Sequence, residues 1–494
     1  MKKIFVFIGL LFILRSTAQP YKPDFILKRD RYTNLLVFDA ERSPGIFPIL
    51  DIPSFRHIKF WAENWNSHAQ WVFWEVSSTA DDRYLVNILC NSLKSGTVQF
   101  EVQSDGQSVT GRTMNSDTAE FDRIQLDGSL LMHKGKNKLT LKIKPLNDKD
   151  SFNISVHGIE LVRPSVKKEY DELAKNFHKH MYAGWYRQCR YGLFITWTSQ
   201  VFPRNGERKD YNTAVSEFNV DGFVNQVVKT GAGLVVFNTA HAEMYFPAPI
   251  KALDSILPGR TTKRDLIAEL SHALALHGVK LFLYYHLGCV TDPVWTKTSG
   301  FWETDDSRFF SNWKSVIREV GNRYGPAVSG YWFDDGSMNY YYRSPDWLEL
   351  YKVTKAGNPQ RLVGYNTWKL PPATQFMDYY LGETNLDPSM HGQLKKGGDG
   401  IILTGPYKGL QASSTFVTES EEWGHFSKNK EIIPFRYSDS QLASMLREFE
   451  SYGNVPLINL EIYQTGLMSE NSISVFERAR LINEKLKNRL TYER

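Results

Sequence analysis

The stretch Ser329-Gly-Tyr-Trp-Phe-Asp-Asp-Gly336 decides how this chain is read. It reads as a short buried strand that ends on two carboxylates, Asp334 and Asp335, and is stopped by Gly336. The plain alternative is a strand running into an Asp-Gly turn. Upstream, Tyr191–Trp197, Leu234–Thr239 and Lys280–His286 are further strand-like runs, with helices expected over Asp221–Lys229, Lys263–His277 and Asp306–Tyr324. Downstream, Arg361–Asn366, Phe376–Leu381, Gly400–Leu403 and Val455–Leu460 complete the set, and Ser472–Asn488 reads as a closing helix. Strands alternating with amphipathic helices predict parallel βα units, and this number of them predicts a (β/α)8, TIM-like barrel with Gly330–Asp334 as its fourth strand. No Gly-rich phosphate loop follows the first strand, which argues against a dinucleotide fold.

Residues 19–163 follow a different pattern. Short alternating runs recur at Trp71–Val76, Tyr84–Leu89, Thr97–Val102, Lys138–Ile143 and Phe152–Leu161, separated by turns such as Asn91–Gly96 and Ser104–Gly106. Helical periodicity is nearly absent. This predicts a β-sandwich like a carbohydrate-binding module, so the chain is multidomain: sandwich first, barrel over 164–494. Trp61, Trp65, Trp71 and Trp74 cluster in the first domain, open between a sugar-stacking platform and core packing. The charged, helix-like stretch from Pro164 is the join.

Residues 1–18 read as an export signal: basic Lys2-Lys3, an apolar run of 11 residues from Ile4 to Leu14, then Ser16-Thr17-Ala18 before the cut. The run is too short to span a bilayer. With no Cys near the cut, a periplasmic or secreted protein without a lipid anchor is expected. The net charge is +5, and it falls to +2 once Lys2, Lys3 and Arg15 leave. No Lys/Arg stripe argues for nucleic acid. Three dispersed cysteines, Cys90, Cys189 and Cys289, make no disulfide framework, though a Cys189–Cys289 bridge stays open. There is no Cys/His metal-ligand spacing, so neither metal nor cofactor is expected. Aromatics are 14% of the chain, which suits, without proving, a protein that stacks rings on sugars.

The predicted strand ends carry Thr196-Trp197, Asn238 to Glu243, Tyr284-Tyr285-His286, Asp334-Asp335, Met377 to Glu383 and Asn459-Leu460-Glu461. Polar and aromatic groups at so many strand ends, on one inferred face, point to a site rather than to stability. Carboxylates without a nucleophilic Ser or Cys pattern point to glycoside hydrolysis, which needs a carboxylate and a carboxylic acid flanking one bond.

Several segments resemble glycoside hydrolase family 29, the α-L-fucosidases. Gly192-Leu-Phe-Ile-Thr-Trp197 resembles the family's opening strand, and Val235 to Glu243 its second strand. Lys263 to Leu270 with Gly278 to Tyr285, Tyr331-Trp-Phe-Asp334, and Ser438 through Asn459 resemble later pieces. The resemblance covers roughly 180–485. It implies a retaining exo-α-glycosidase acting on an oligosaccharide or polysaccharide, with Asp334 as nucleophile. The family's acid/base lies on a variable loop; Glu383 is the choice here, over Glu419, Glu421, Glu422 and Glu461. Trp197, His241, Glu243, Tyr285, His286, Asp335, Trp423 and Glu461 are the expected substrate contacts. The chain departs from the family at Thr196 and Ala242, where fucosidases place imidazoles, which implies a fucose or a related L-sugar as substrate. The alternative reading is a catalytically inactive sugar-binding protein on the same barrel.

Overall fold

The computed structural model describes residues 25–50, 60–91, 97–113, 122–147, 151–180, 184–286, 288–289, 291–303, 305–334, 344–366, 374–381, 401, 410–419 and 422–492. The export segment, Asp335, Glu383 and Glu421 therefore lie outside the described residues.

Alternation of apolar and polar residues builds the first strands: β1 (Thr33–Leu36), β2 (Glu41–Arg42), β3 (Phe47–Leu50), β4 (Phe60–Trp65), β5 (Trp71–Ser78), β6 (Asp82–Asn91), β7 (Val98–Ser104), β8 (Gln107–Arg112), β9 (Asp122–Gln125), β10 (Leu130–Met132), β11 (Gly135–Pro145) and β12 (Ile154–Val162). In β11, Leu139, Leu141 and Ile143 point inward while Lys138, Lys142 and Lys144 face water. The strands form two antiparallel sheets. One has the order β2-β5-β11-β7-β8, and the other is built around β6 and β12. Their inner faces share one core that holds Trp65 and Trp74, with the Trp74 indole N–H donating to Leu36 O at 2.8 Å. Trp71 is instead half-buried on the outer face, stacked on Phe73 at 5.4 Å.

The helix Pro164–His180 leads out of this β-rich region. Its Tyr170 packs edge-on against Phe376 at 5.0 Å, and Arg31 Nε donates to Ser344 O at 2.9 Å, so the two halves of the chain are in contact.

The second half forms one curled parallel sheet, a half-barrel in outline, from β13 (Gly192–Ile195), β14 (Leu234–Asn238), β15 (Lys280–His286), β16 (Gly330–Asp334), β17 (Leu362–Tyr365), β18 (Tyr379–Tyr380), β19 (Gln411–Val417) and β20 (Val455–Asn459). The order is β17-β16-β15-β14-β13-β20-β19-β18. Helices Val220–Thr230, Leu266–Ala275, Ser307–Tyr324, Asp439–Ser451 and Glu470–Tyr492 supply apolar side chains to a core shared with the outward face of the strands. Gly231, at φ 80°, ends the helix before β14 in the left-handed conformation that glycine adopts without strain. Arg361 is fully buried and donates to the carbonyls of Gly321, Gly325, Val328, Thr354 and Ala356. It thereby satisfies carbonyls at the ends of two helices, Ser307–Tyr324 and Trp347–Thr354.

Asp378, just before β18, bonds to the other outermost strand, β17. Asp378 N–H donates to Val363 O at 2.8 Å, and the Asp378 carboxylate accepts from Val363 N–H at 2.7 Å, Tyr351 OH at 2.5 Å and Lys355 Nζ at 2.5 Å.

Of the strand expected at Gly400–Leu403 only Ile401, bridged to Gln411, is among the described residues; the sheet position beside β20 is held by Gln411–Val417, which the sequence reading did not mark. Its residues Ser413, Ser414 and Thr415 are too polar to read as a buried strand. On the inward face Tyr186 fills the interior beside Ser413, its hydroxyl donating to Ser413 Oγ at 2.9 Å and its ring stacked on Phe282. Cys189 and Cys289 are both buried and unbridged.

Candidate active site

Strand parity builds the site. Phe194, Leu234, Val236, Phe282, Tyr284, Trp332 and Leu362 share one inward cluster on the concave side of the sheet. Two residues beyond Tyr284 and Trp332 come His286 and Asp334, paired in register on adjacent strands. Residues two apart in a strand face the same way, so both side chains leave the sheet at the mouth of this inward face.

Asp334 is held at both oxygens. Tyr284 OH donates to Oδ2 at 2.5 Å and Asn366 Nδ2 donates to Oδ1 at 3.0 Å. Tyr284 is itself fixed by stacking on Trp332, with ring centroids 5.1 Å apart, and by Phe194 edge-on at 5.6 Å. The carboxylate is thus aimed, and its aim depends on a phenol rooted in the core.

Two imidazoles face it. His241 and His286 lie edge to face with centroids 5.6 Å apart. Burial pushes the His286 ring down to about 4, against the upward pull of Asp334 and with a further downward push from His241. Burial also lowers His241, again against Asp334. Both shifts favour the neutral ring. Cys289 N–H donates to His286 Nδ1 at 3.0 Å, so the neutral ring carries its proton on Nε2.

A second group of carboxylates lies past β19 and β20. Glu461 Oε2 is 3.2 Å from His425 Nδ1. Glu419 accepts from the Glu461 N–H and from Ser472 Oγ, and burial pushes its carboxyl up to about 8. Partial burial and then the Glu461 charge raise Glu422 as well. Asn459 Nδ2 donates to Trp423 O at 2.9 Å, and the Trp423 ring packs edge-on against Phe194 at 5.4 Å. Glu243 accepts from Ser199 Oγ, tying the segment after β14 to the one after β13.

The structure therefore brings His241 and His286 to Asp334, and sets Trp423 against a ring that packs on Tyr284. Two expected sugar contacts lie elsewhere. Trp197 is buried against Tyr211, Phe218 and Phe237, with its indole N–H donating to Gln464 O at 3.0 Å. Tyr285 is buried in the layer under the helices, its hydroxyl 3.5 Å from Met244 Sδ. Both are corrected by parity: Trp197 is out of phase with the inward Phe194, and Tyr285 with His286. The same rule could have found Tyr284, which the sequence reading passed over in favour of its neighbour. Asn366, one residue past β17 and in phase with Leu362, was missed for want of the same count.

A carboxylate oriented through both oxygens, at the end of a parallel sheet with two buried imidazoles and aromatics beside it, suits a glycoside hydrolase. Residues 211–478 match the family model for α-L-fucosidase, more than half of the chain, and the protein belongs to that family. Among solved structures, the α-L-fucosidase AlfC from Lactobacillus casei in complex with α-L-fucose product is similar at 16% identity, over 62% of this chain and 98% of that one, with a TM-score of 0.45. A GH29 α-L-fucosidase from Bacteroides thetaiotaomicron is similar at 15% identity, over 60% of this chain and 72% of that one, with a TM-score of 0.43. No curated protein matches the sequence. Among the described residues no helix is long and apolar enough to cross a membrane.

Proposed function

We propose that this protein is an exported, retaining exo-α-glycosidase that removes a terminal fucose or related L-sugar from an oligosaccharide or polysaccharide. The observation that carries the reading is Asp334, held at both oxygens by Tyr284 and Asn366. A nucleophile needs such orientation, because a carboxylate free to rotate reaches the anomeric carbon in only part of its conformers. In the first step an Asp334 oxygen bonds to the anomeric carbon as the glycosidic bond breaks. Glu383 gives its proton to the leaving oxygen. In the second step Glu383 takes a proton from water, and that water displaces Asp334. The curled sheet serves this chemistry as a (β/α)8 barrel, and the N-terminal β-rich region acts as a carbohydrate-binding module.

The altered positions Thr196 and Ala242 bear on the choice of sugar. At these two positions a short side chain replaces an imidazole, so the hydroxyl contacts of the site differ from those of the family. An L-sugar with a further or larger substituent than fucose suits it better.

Turnover of aryl α-L-glycosides, followed by NMR, tests the reading. The expected result is release of the α-anomer first, loss of turnover in Asp334→Asn, and rescue of Glu383→Ala by azide or by an activated leaving group. First appearance of the inverted anomer overturns retention. Sugar binding with no turnover in the wild type favours the inactive binding protein instead.

A further inference from the structure

One layer below Asp334 lies a group of buried polar atoms with no hydrogen-bond partner among the described residues. Asn238 is 1% exposed, and neither its Oδ1 nor its Nδ2 has a hydrogen-bond partner among the described residues. The hydroxyl of Thr196, also 1% exposed, is unpartnered in the same way. So is the indole nitrogen of Trp332. Ile195 pairs with Phe237, so Thr196 and Asn238 leave adjacent strands side by side. Asn238 pairs with Tyr284, whose hydroxyl holds Asp334, and Tyr284 pairs with Trp332. Leu234 and Val236, in phase with Asn238, belong to the inward cluster. The unpaired amide therefore faces the interior beneath the carboxylate.

A buried amide with both ends unpaired is costly to the folded state, and an apolar residue of similar size would remove the cost. Such a group is expected where something else completes it.

We propose that Thr196 and Asn238 form a specificity subsite that reads one hydroxyl of the sugar bound at Asp334. The inference rests on the glycosidase reading above. The chemistry selects a hydroxyl. Asn238 offers a donor and an acceptor together, and a hydroxyl both accepts and donates. A methyl group would leave both ends unpaired. A carboxylate cannot donate to Asn238 Oδ1, and none of the three residues carries a positive charge to offset it. The sugar is therefore neutral and hydroxylated at the position that enters the subsite.

The test is a cycle between enzyme and substrate. The aryl α-L-glycoside turned over fastest is compared with its monodeoxy analogues, using the wild type, Asn238→Leu and Thr196→Val. In the wild type, deleting one particular hydroxyl lowers kcat/KM by about a hundredfold or more, since a site built to bond a hydroxyl rejects the analogue lacking it. In Asn238→Leu that penalty falls below about tenfold, and the penalties for the other hydroxyls stay as they were. Thr196→Val reduces the same penalty and decides the matter if Asn238→Leu does not fold. Folded variants with wild-type penalties at every hydroxyl overturn the subsite and mark the amide as the site of a structural water. A wild type that turns over no glycoside at all overturns the glycosidase reading itself.

Discussion

Tyr284 and Asp334 stand on neighbouring parallel strands, and the phenol of the first donates to Oδ2 of the second at 2.5 Å. Tyr284 belongs to the interior aromatic cluster, stacked on Trp332 and braced by Phe194. The packing of the sheet's interior thus helps to set the position of the candidate nucleophile.

Tyr284→Phe should keep the ring and its stacking while removing the phenol donor on Asp334. A drop in kcat of about 10- to 100-fold with little change in Tm is expected, since misaiming a reacting group is expensive. Tyr285→Phe, one residue away but under the helices, should leave kcat/KM near the wild-type value. Steady-state kinetics on the pair decides this, and equal losses in both would remove the special role given to Tyr284.

Asp334→Asn retains the shape and both neighbours but removes the attacking charge. Turnover should fall by about a thousandfold or more while a sugar ligand still binds, measured by calorimetry. Turnover near that of the wild type would exclude Asp334 as nucleophile.

Asp378 joins β17 to the residues at β18 while buried with Lys355. Burial raises the carboxyl and lowers the amine, and each is held charged mainly by the other. Asp378→Ala should destabilise the protein by about 3–5 kcal/mol, because it strands a buried ammonium. The exposed pair Glu349–Lys352 should be worth about 0–1 kcal/mol when broken. Urea unfolding of Asp378→Ala and Glu349→Ala makes the comparison, and similar losses in both would contradict it.

The pH dependence of stability should have two opposed components. His286 has a folded value of about 4 against an ordinary 6.5, so the unfolded chain takes up the proton first. Its contribution is complete above pH 6.5 and is lost as pH falls through 6.5 toward 4. Glu419 has a folded value of about 8 against an ordinary 4.5. Its contribution is complete below pH 4.5 and is lost as pH rises from there through 8. Melting curves across this range should flatten on the acid side in His286→Asn and on the neutral side in Glu419→Gln. An unchanged slope in either variant removes that group from the account.

The sequence by itself determined a good deal. The bounds of Lys280–His286 and Gly330–Asp334 could be read directly, because a run of apolar residues closed by polar ones at strand length has few other readings. The change from all-β to alternating βα near Pro164, and the Trp-Phe-Asp segment with its carboxylate, were also there to be read. Tertiary structure alone decided which side chains reach the site. Strands of a parallel sheet are covered on both faces, so hydropathy does not say which face is interior, and Tyr284 and Tyr285 look alike in the sequence. Trp197 and Trp423, both indoles near strand ends, parted for the same reason: one is packed under helices, the other against Phe194. The small polar Ser413 in the strand Gln411–Val417 makes sense only once Tyr186, distant in the chain, is seen to fill the interior beside it. Nor does local sequence reveal that Asn238 lacks hydrogen-bond partners among the described residues, since satisfaction of a buried amide is a property of everything packed around it.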